Sequence, residues 1–166
     1  MRRSLLLVVA VVAAFFIGWS VRPLPAPPGP PRVTGIGGVF FKCQDPAKLK
    51  AWYAEHFGMH MDQYGALFEF RNTDDPSIRG FLQWSAFGPR STYFKPGNKD
   101  FMVNYRVTGI GEILKKLRAS GATIMDSATY DYGTFAHVLD PDSTMIELWE
   151  PVDTALSVLQ GRTTVH

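Results

Sequence analysis

Few side chains in this sequence combine a reactive type with an informative position. Glu147 lies in "TMIELWE" (Thr144–Glu150), a stretch whose alternation predicts a strand. A carboxylate on a strand face has two readings. It can serve a pocket as base or ligand, or it can pair across the sheet with a cation such as Lys42 or Arg106. Asn104, on a strand face in "FMVNYRV", requires hydrogen-bond partners, supplied either by backbone or by a bound molecule. His137 titrates near neutrality and could act as a general base, but "TFAHVL" does not say which face it occupies. His56 and His60 flank the end of a predicted helix, where a cationic imidazole suits the helix dipole, and no catalysis is expected there. Cys43 is the lone cysteine, so no intrachain disulfide can form, and a buried, inert thiol is expected.

Other chemistries are excluded by motif. Neither a serine nor the cysteine stands in a GxSxG elbow. "GIGG" (Gly35–Gly38) has neither the Lys-Ser/Thr of a phosphate loop nor dinucleotide-binding spacing. The 17 basic residues include Arg2, Arg3, Arg22 and Arg32, whereas all 15 acidic residues follow Thr34. From there onward 13 basic face 15 acidic residues, so no basic footprint for nucleic acid exists.

The elements that would position these residues follow from periodicity. "VFFKC" (Val39–Cys43) reads as a strand, and Asp45 then caps a helix that takes Pro46 in its first turn. Leu49, Trp52, Tyr53 and His56 recur at i, i+3, i+4, i+7, and Gly58 stops the helix. "GALFEFRN" (Gly65–Asn72) and "RGFLQWSAF" (Arg79–Phe87) are strands, and "GPRSTYFKPGNKD" (Gly88–Asp100) is a linker without period. The pattern restarts with a strand at Phe101–Val107 and a helix with Ile110, Ile113, Leu114 and Leu117 on one face, ended by Gly121. Strands at Ala122–Tyr130, Thr134–Leu139 and Thr144–Glu150 follow. Each half thus reads strand, helix, strands. The halves superpose at an offset of 64 residues, placing Val39 on Val103 and Lys42 on Arg106. "VTGIG" also occurs twice, leading into the first strand and out of the fifth, but ten residues off that register, and is a coincidence.

Ahead of this domain, Leu5–Val21 is an uninterrupted apolar run of 17 residues behind Arg2 and Arg3. An uncleaved membrane anchor is expected for residues 1–22, with the domain on the extracytoplasmic side. Secretion after signal cleavage is the alternative. Six prolines between Pro23 and Pro31 make residues 23–33 a stiff spacer. The domain is expected at 34–152 and a tail at 153–166.

Two segments, "DPAKLKAWYAEHFGM" and "YGTFAHVLDPDSTMIELWEP", identify a resemblance. The chain resembles the glyoxalase/bleomycin-resistance/extradiol-dioxygenase superfamily, the vicinal-oxygen-chelate proteins, over about Val33 to Pro151. The resemblance implies an α+β fold of paired βαβββ modules whose sheets form a small-molecule cleft. Metal-using members of that superfamily place four ligands on strands one, four, five and eight. Those positions fall here on Gly38, Gln83, Met102 and Glu147. Only Glu147 and Gln83 remain as candidate ligands, so a divalent metal is disfavoured and no cofactor is expected. With Glu147 facing inward, Phe40, Met102, Asn104, Met145 and Trp149 would line the cleft with Gln83 nearby, an apolar site with a few polar anchors.

Three functions compete. A binding module would hold a small molecule without transforming it. A glyoxalase-type lyase or isomerase, or a dioxygenase-like enzyme, would use Glu147 as catalytic base or ligand. An interaction domain would use the paired sheets to build a homodimer, which the Gly88–Asp100 linker is long enough to permit.

Overall fold

The computed structural model describes residues 29–72, 75–156 and 163–164. The expected N-terminal hydrophobic helix and most of the proline-rich spacer lie outside these residues. Among the described residues no helix is long and apolar enough to cross a membrane.

The elements run β1 (Arg32–Lys42), α1 (Pro46–Phe57), β2 (Ala66–Arg71), β3 (Arg79–Phe87), β4 (Phe101–Thr108), α2 (Ile110–Ala119), β5 (Ile124–Tyr130), β6 (Gly133–Leu139), β7 (Met145–Pro151) and the short α3 (Asp153–Leu156). All seven expected strands are present. β1 begins earlier than its apolar core suggested, so the first VTGIG lies within the strand instead of leading into it. Its Val33 even pairs with Val107, the first residue of the second copy.

The strands form one mixed sheet in the order β2-β3-β1-β4-β7-β6-β5. β1 runs parallel to β3, and β4 parallel to β7, each crossing over through a helix. The two halves meet where β1 and β4 pair antiparallel, with Val39 opposite Val103. Those two residues are related by the 64-residue offset, so an approximate twofold axis passes between them. The second half shows the expected βαβββ pattern and the first only part of it, because the segment after α1 forms a single bridge, Met61 to Ala66, rather than a strand.

Helix signals behave as their chemistry dictates. The Asp45 carboxylate accepts from Lys48 N at 2.9 Å, Pro46 opens α1, and Gly58 ends it in the left-handed conformation (φ 64°). The packing of α1 departs from its pattern, however. Trp52 is 47% exposed and His56 is exposed, while Leu49 and Tyr53 face the sheet partly covered. Trp52 instead joins an aromatic group with Tyr53, His56 and Phe57 on the outer side of the helix. In α2 the predicted face is the packed one. Ile110 and Leu114 are buried against Val107, Ala136, Val138 and Leu148, with Ile113 and Leu117 beside them.

The opposite face of the sheet carries a second cluster of Phe40, Met102 and Met145, closed by Phe94 from the Gly88–Asp100 segment. That segment is no passive linker: it covers the half of the sheet that bears the candidate site. Cys43, just past β1, is half-buried rather than buried, and burial raises its thiol pKa.

Candidate functional site

Strand alternation places the site. In β7, Ile146 and Leu148 turn toward the α2 side, which sends Met145, Glu147 and Trp149 to the other face. Register then assembles neighbours: Glu147 stands beside Asn104 on β4 and beside His137 on β6. β5 brings Asp126 beside His137.

Glu147 is 4% exposed and is the hub of these contacts. Asn104 Nδ2 donates to its Oε1 at 2.6 Å. The Tyr93 hydroxyl donates to its Oε2 at 2.8 Å. His137 Nε2 lies 2.9 Å from the same oxygen, off the axis of an ideal N–H bond, so charge attraction carries this contact more than alignment. On its far side His137 Nδ1 meets Asp126 Oδ1 at 2.7 Å.

Both imidazole nitrogens therefore face carboxylates. Either neutral tautomer would set a lone pair against a carboxylate oxygen, whereas the imidazolium satisfies both. The His137 pKa is raised accordingly, first by Glu147 and with help from Asp126, and burial opposes the shift. Tyr93 is pushed far above the ordinary phenol value, by burial first and then by the Glu147 charge, so it remains a neutral donor.

The predicted partners of Glu147 are corrected here. Lys42 pairs instead with Asp100 at 3.1 Å, and Arg106 pairs with Asp153 while lying over the Trp149 and Phe70 rings. The expected pocket residues divide into two groups. Asn104 and Trp149 border Glu147; Trp149 stacks on Phe135 and donates to Tyr132 O at 3.2 Å. Phe40, Met102 and Met145 are buried under Phe94 as packed core rather than as the wall of an open cleft. Gln83 shares the site face opposite Gly38 but donates to Trp84 O and Ser85 Oγ, each at 3.2 Å, and makes no contact with Glu147.

Tyr93 and Asp126 were missed by the sequence reading. Tyr93 sits in a segment with no period, so only the fold could deliver it. Asp126 follows a register irregularity in β5 that breaks simple alternation. His137 was closer to legible, since Ala136 and Val138 both pack with α2, but Phe135 and Leu139 are equally apolar and left the face undecided.

No protein-family model and no curated protein matches this chain. Solved structures do. Methylmalonyl-CoA epimerase from Mycobacterium tuberculosis superposes with a TM-score of 0.50 at 19% identity, over 75% of this chain and 93% of that one. A variant of Streptomyces coelicolor methylmalonyl-CoA epimerase in complex with 2-nitronate-propionyl-CoA gives 0.54 at 12% identity, over 73% and 96%. The fold is that of the vicinal-oxygen-chelate proteins. At such identities the likeness concerns the fold alone. A glyoxalase/bleomycin resistance protein/dioxygenase superfamily member from Vibrio splendidus 12B01, at a TM-score of 0.40 and 13% identity, adds nothing to it.

The vicinal-oxygen-chelate fold raises the question of a metal, and the donor set does not fit one. A side chain at Gly38 has no room, because a Cβ there would stand 2.7 Å from the Phe40 ring. Met102 is fully buried in an apolar cluster. Gln83 turns its amide to its own strand. Glu147 has both oxygens engaged by three donors, one of them a cation. Among the described residues, no three His, Cys, Asp or Glu side chains are grouped to hold a metal ion.

Proposed function

We propose that this vicinal-oxygen-chelate domain is a small-molecule binding module that works without the fold's usual metal. The observation that carries the reading is the engagement of Glu147. Asn104, Tyr93 and His137 take up the carboxylate at the position where metal-using members resemble this chain most. An imidazolium in that place supplies the positive charge a metal would otherwise bring.

The aromatic surroundings suit a small organic ligand. Tyr132, Phe135 and Trp149 stack or meet edge-to-face beside the cluster, and Tyr93 is 41% exposed although its hydroxyl points inward. The epimerase neighbour holds an acyl-CoA analogue; for this chain the ligand class is left to its own residues. The test is a thermal-shift screen of small molecules in the presence of a chelator. Binding without metal predicts ligand-dependent stabilisation that chelation leaves intact. Near-stoichiometric bound metal whose removal abolishes that stabilisation would sink the reading.

A second reading has one observation in its favour. Asp126, His137 and Glu147 form a continuous chain from a 66% exposed carboxylate to a buried one, which is how acid–base residues are oriented in proton-transfer enzymes. Deuterium incorporation from solvent into a carbonyl compound, lost in Glu147→Gln, would promote it over the first. For residues 1–22 we propose a membrane anchor holding the domain outside the cytoplasm. Carbonate-resistant membrane association, lost when residues 1–22 are removed, tests that.

A further inference from the structure

We propose that Gly88–Asp100 is a hinged cover over a second, apolar ligand site, with Phe94 filling that site when no ligand does. The inference rests on the binding reading and gives it a ligand class. Phe94 is 1% exposed, although both its neighbours are exposed. Its ring enters the cluster of Phe40, Met102 and Met145 and meets Phe87 edge-on at 5.2 Å. A single side chain inserted from an irregular segment can leave without disturbing any strand pairing.

The anchorage of the cover is concentrated at its ends. Beyond the β3 end, Cys43 N donates to Phe87 O at 2.8 Å. At the other end Lys42 N donates to Asp100 O at 2.8 Å, Asn98 N to Ser143 O at 3.1 Å, and Lys99 pairs with Asp142 at 2.9 Å. Between them the backbone bonds close within the segment, from Ser91 N to Gly88 O and from Lys95 N to Thr92 O. The Tyr93 hydroxyl on Glu147 is the polar link from the middle of the cover to the sheet. Tyr93 also stacks on Phe87 (5.1 Å, 7°), so its ring holds position when the hydroxyl is absent. The hydroxyl acts as a latch, with Glu147 as its catch.

The space beneath selects a ligand by what its walls offer. Phe40, Phe87, Met102, Leu139 and Met145 present no hydrogen-bonding group. The Lys42 ammonium lies 5.7 Å from the Phe94 ring centroid, which favours an electron-rich ring face. The structure therefore assigns the site to an uncharged aromatic ring that takes the place of the Phe94 ring as the cover opens.

Tyr93→Phe keeps the ring and removes the latch, so the full chain can be tested with its fold intact. Amides between Ser91 and Gly97 should exchange with deuterium about ten- to hundredfold faster than in the wild type, the effect of one lost hydrogen bond to a carboxylate. Amides of α2 should keep their wild-type rate. With indole as probe, the Met102 and Met145 ε-methyl resonances should shift at lower indole concentration in Tyr93→Phe than in the wild type. Phe94→Ala, which empties the site, should show the same shifts with the latch intact. Unchanged exchange over Ser91–Gly97, or methyls that ignore indole in both variants, would overturn the proposal. Ligand-dependent thermal stabilisation with those methyls unmoved would overturn it too, and would leave the binding reading standing.

Discussion

The two halves of the sheet were built to one plan and now differ in what they carry. Gln83 and Glu147 are related by the 64-residue offset, and each lies on the strand parallel to the first strand of its own half, but their registers differ by two residues: Gln83 pairs with Gly38 and Glu147 with Asn104. In the second half, Glu147 gathers Asn104, His137 and Tyr93. In the first, Gln83 donates to its own strand. The partners explain the divergence. The neighbour of Glu147 is Asn104, a donor, and the neighbour of Gln83 is Gly38, whose side-chain space the Phe40 ring fills. The helices diverge in the same sense: α2 buries Ile110 and Leu114, while α1 buries no residue fully. One half carries the helix-face core and the polar cluster, and the other is a lighter frame.

Paired substitutions in the two halves would break or sharpen that contrast. Glu147→Ala should cost about 3–5 kcal/mol, because it strands a buried amide, a phenol and an imidazolium together. Gln83→Ala should cost about 1 kcal/mol, the net worth of its hydrogen bonds. Urea unfolding of the two variants measures the difference, and equal losses would end the claim of asymmetry. Next in size, Leu114→Ala in α2 should cost about 2–5 kcal/mol, whereas Leu49→Ala in α1 should cost about 1 kcal/mol. Similar denaturation midpoints for the two would show that α1 packs as firmly as α2.

The pH dependence just above neutrality follows from His137, in the second half. The folded-state pKa of His137 is raised above 6.5 by Glu147 and Asp126. Its contribution to stability is therefore complete below the unfolded-state value near 6.5 and is lost as pH rises through the higher folded-state value. Urea midpoints should fall across that alkaline window, and Glu147→Gln should flatten the fall. A wild-type midpoint that rises there contradicts the imidazolium. Smallest are the helix starts. Asp45 caps α1 from its own chain end, whereas the Glu150 carboxylate reaches the α2 start from β7, accepting from Gly109 N and Ile110 N. Asp45→Ala should cost about 1 kcal/mol, with Glu150→Ala at least equal, since its contact also ties strand to helix.

Much of this was legible beforehand because it depends on neighbours along the chain. Alternation located seven strands, and it put Met102, Asn104, Glu147 and Trp149 on one face. Asp45, Pro46 and Gly58 marked α1 because each supplies a cap or a dihedral angle that a helix end needs. The inward direction of Trp52 was misjudged, since a 3.6-residue period says which residues share a face but not what lies opposite. The open cleft was misjudged for a related reason: periodicity is silent about a segment that has none, and Phe94 comes from such a segment.

By itself the sequence determined the two-module plan, the offset that relates Val39 to Val103 and the strand that carries Glu147, since side-chain alternation and backbone capping act over a few residues. Tertiary structure alone decided that Glu147 answers to Tyr93, Asn104 and His137, that Lys42 and Arg106 go elsewhere, and that Phe94 closes the apolar cluster. Charges and rings choose partners by distance in space, and the chain that separates Tyr93 from Glu147 by 54 positions holds no local trace of the 2.8 Å between their oxygens.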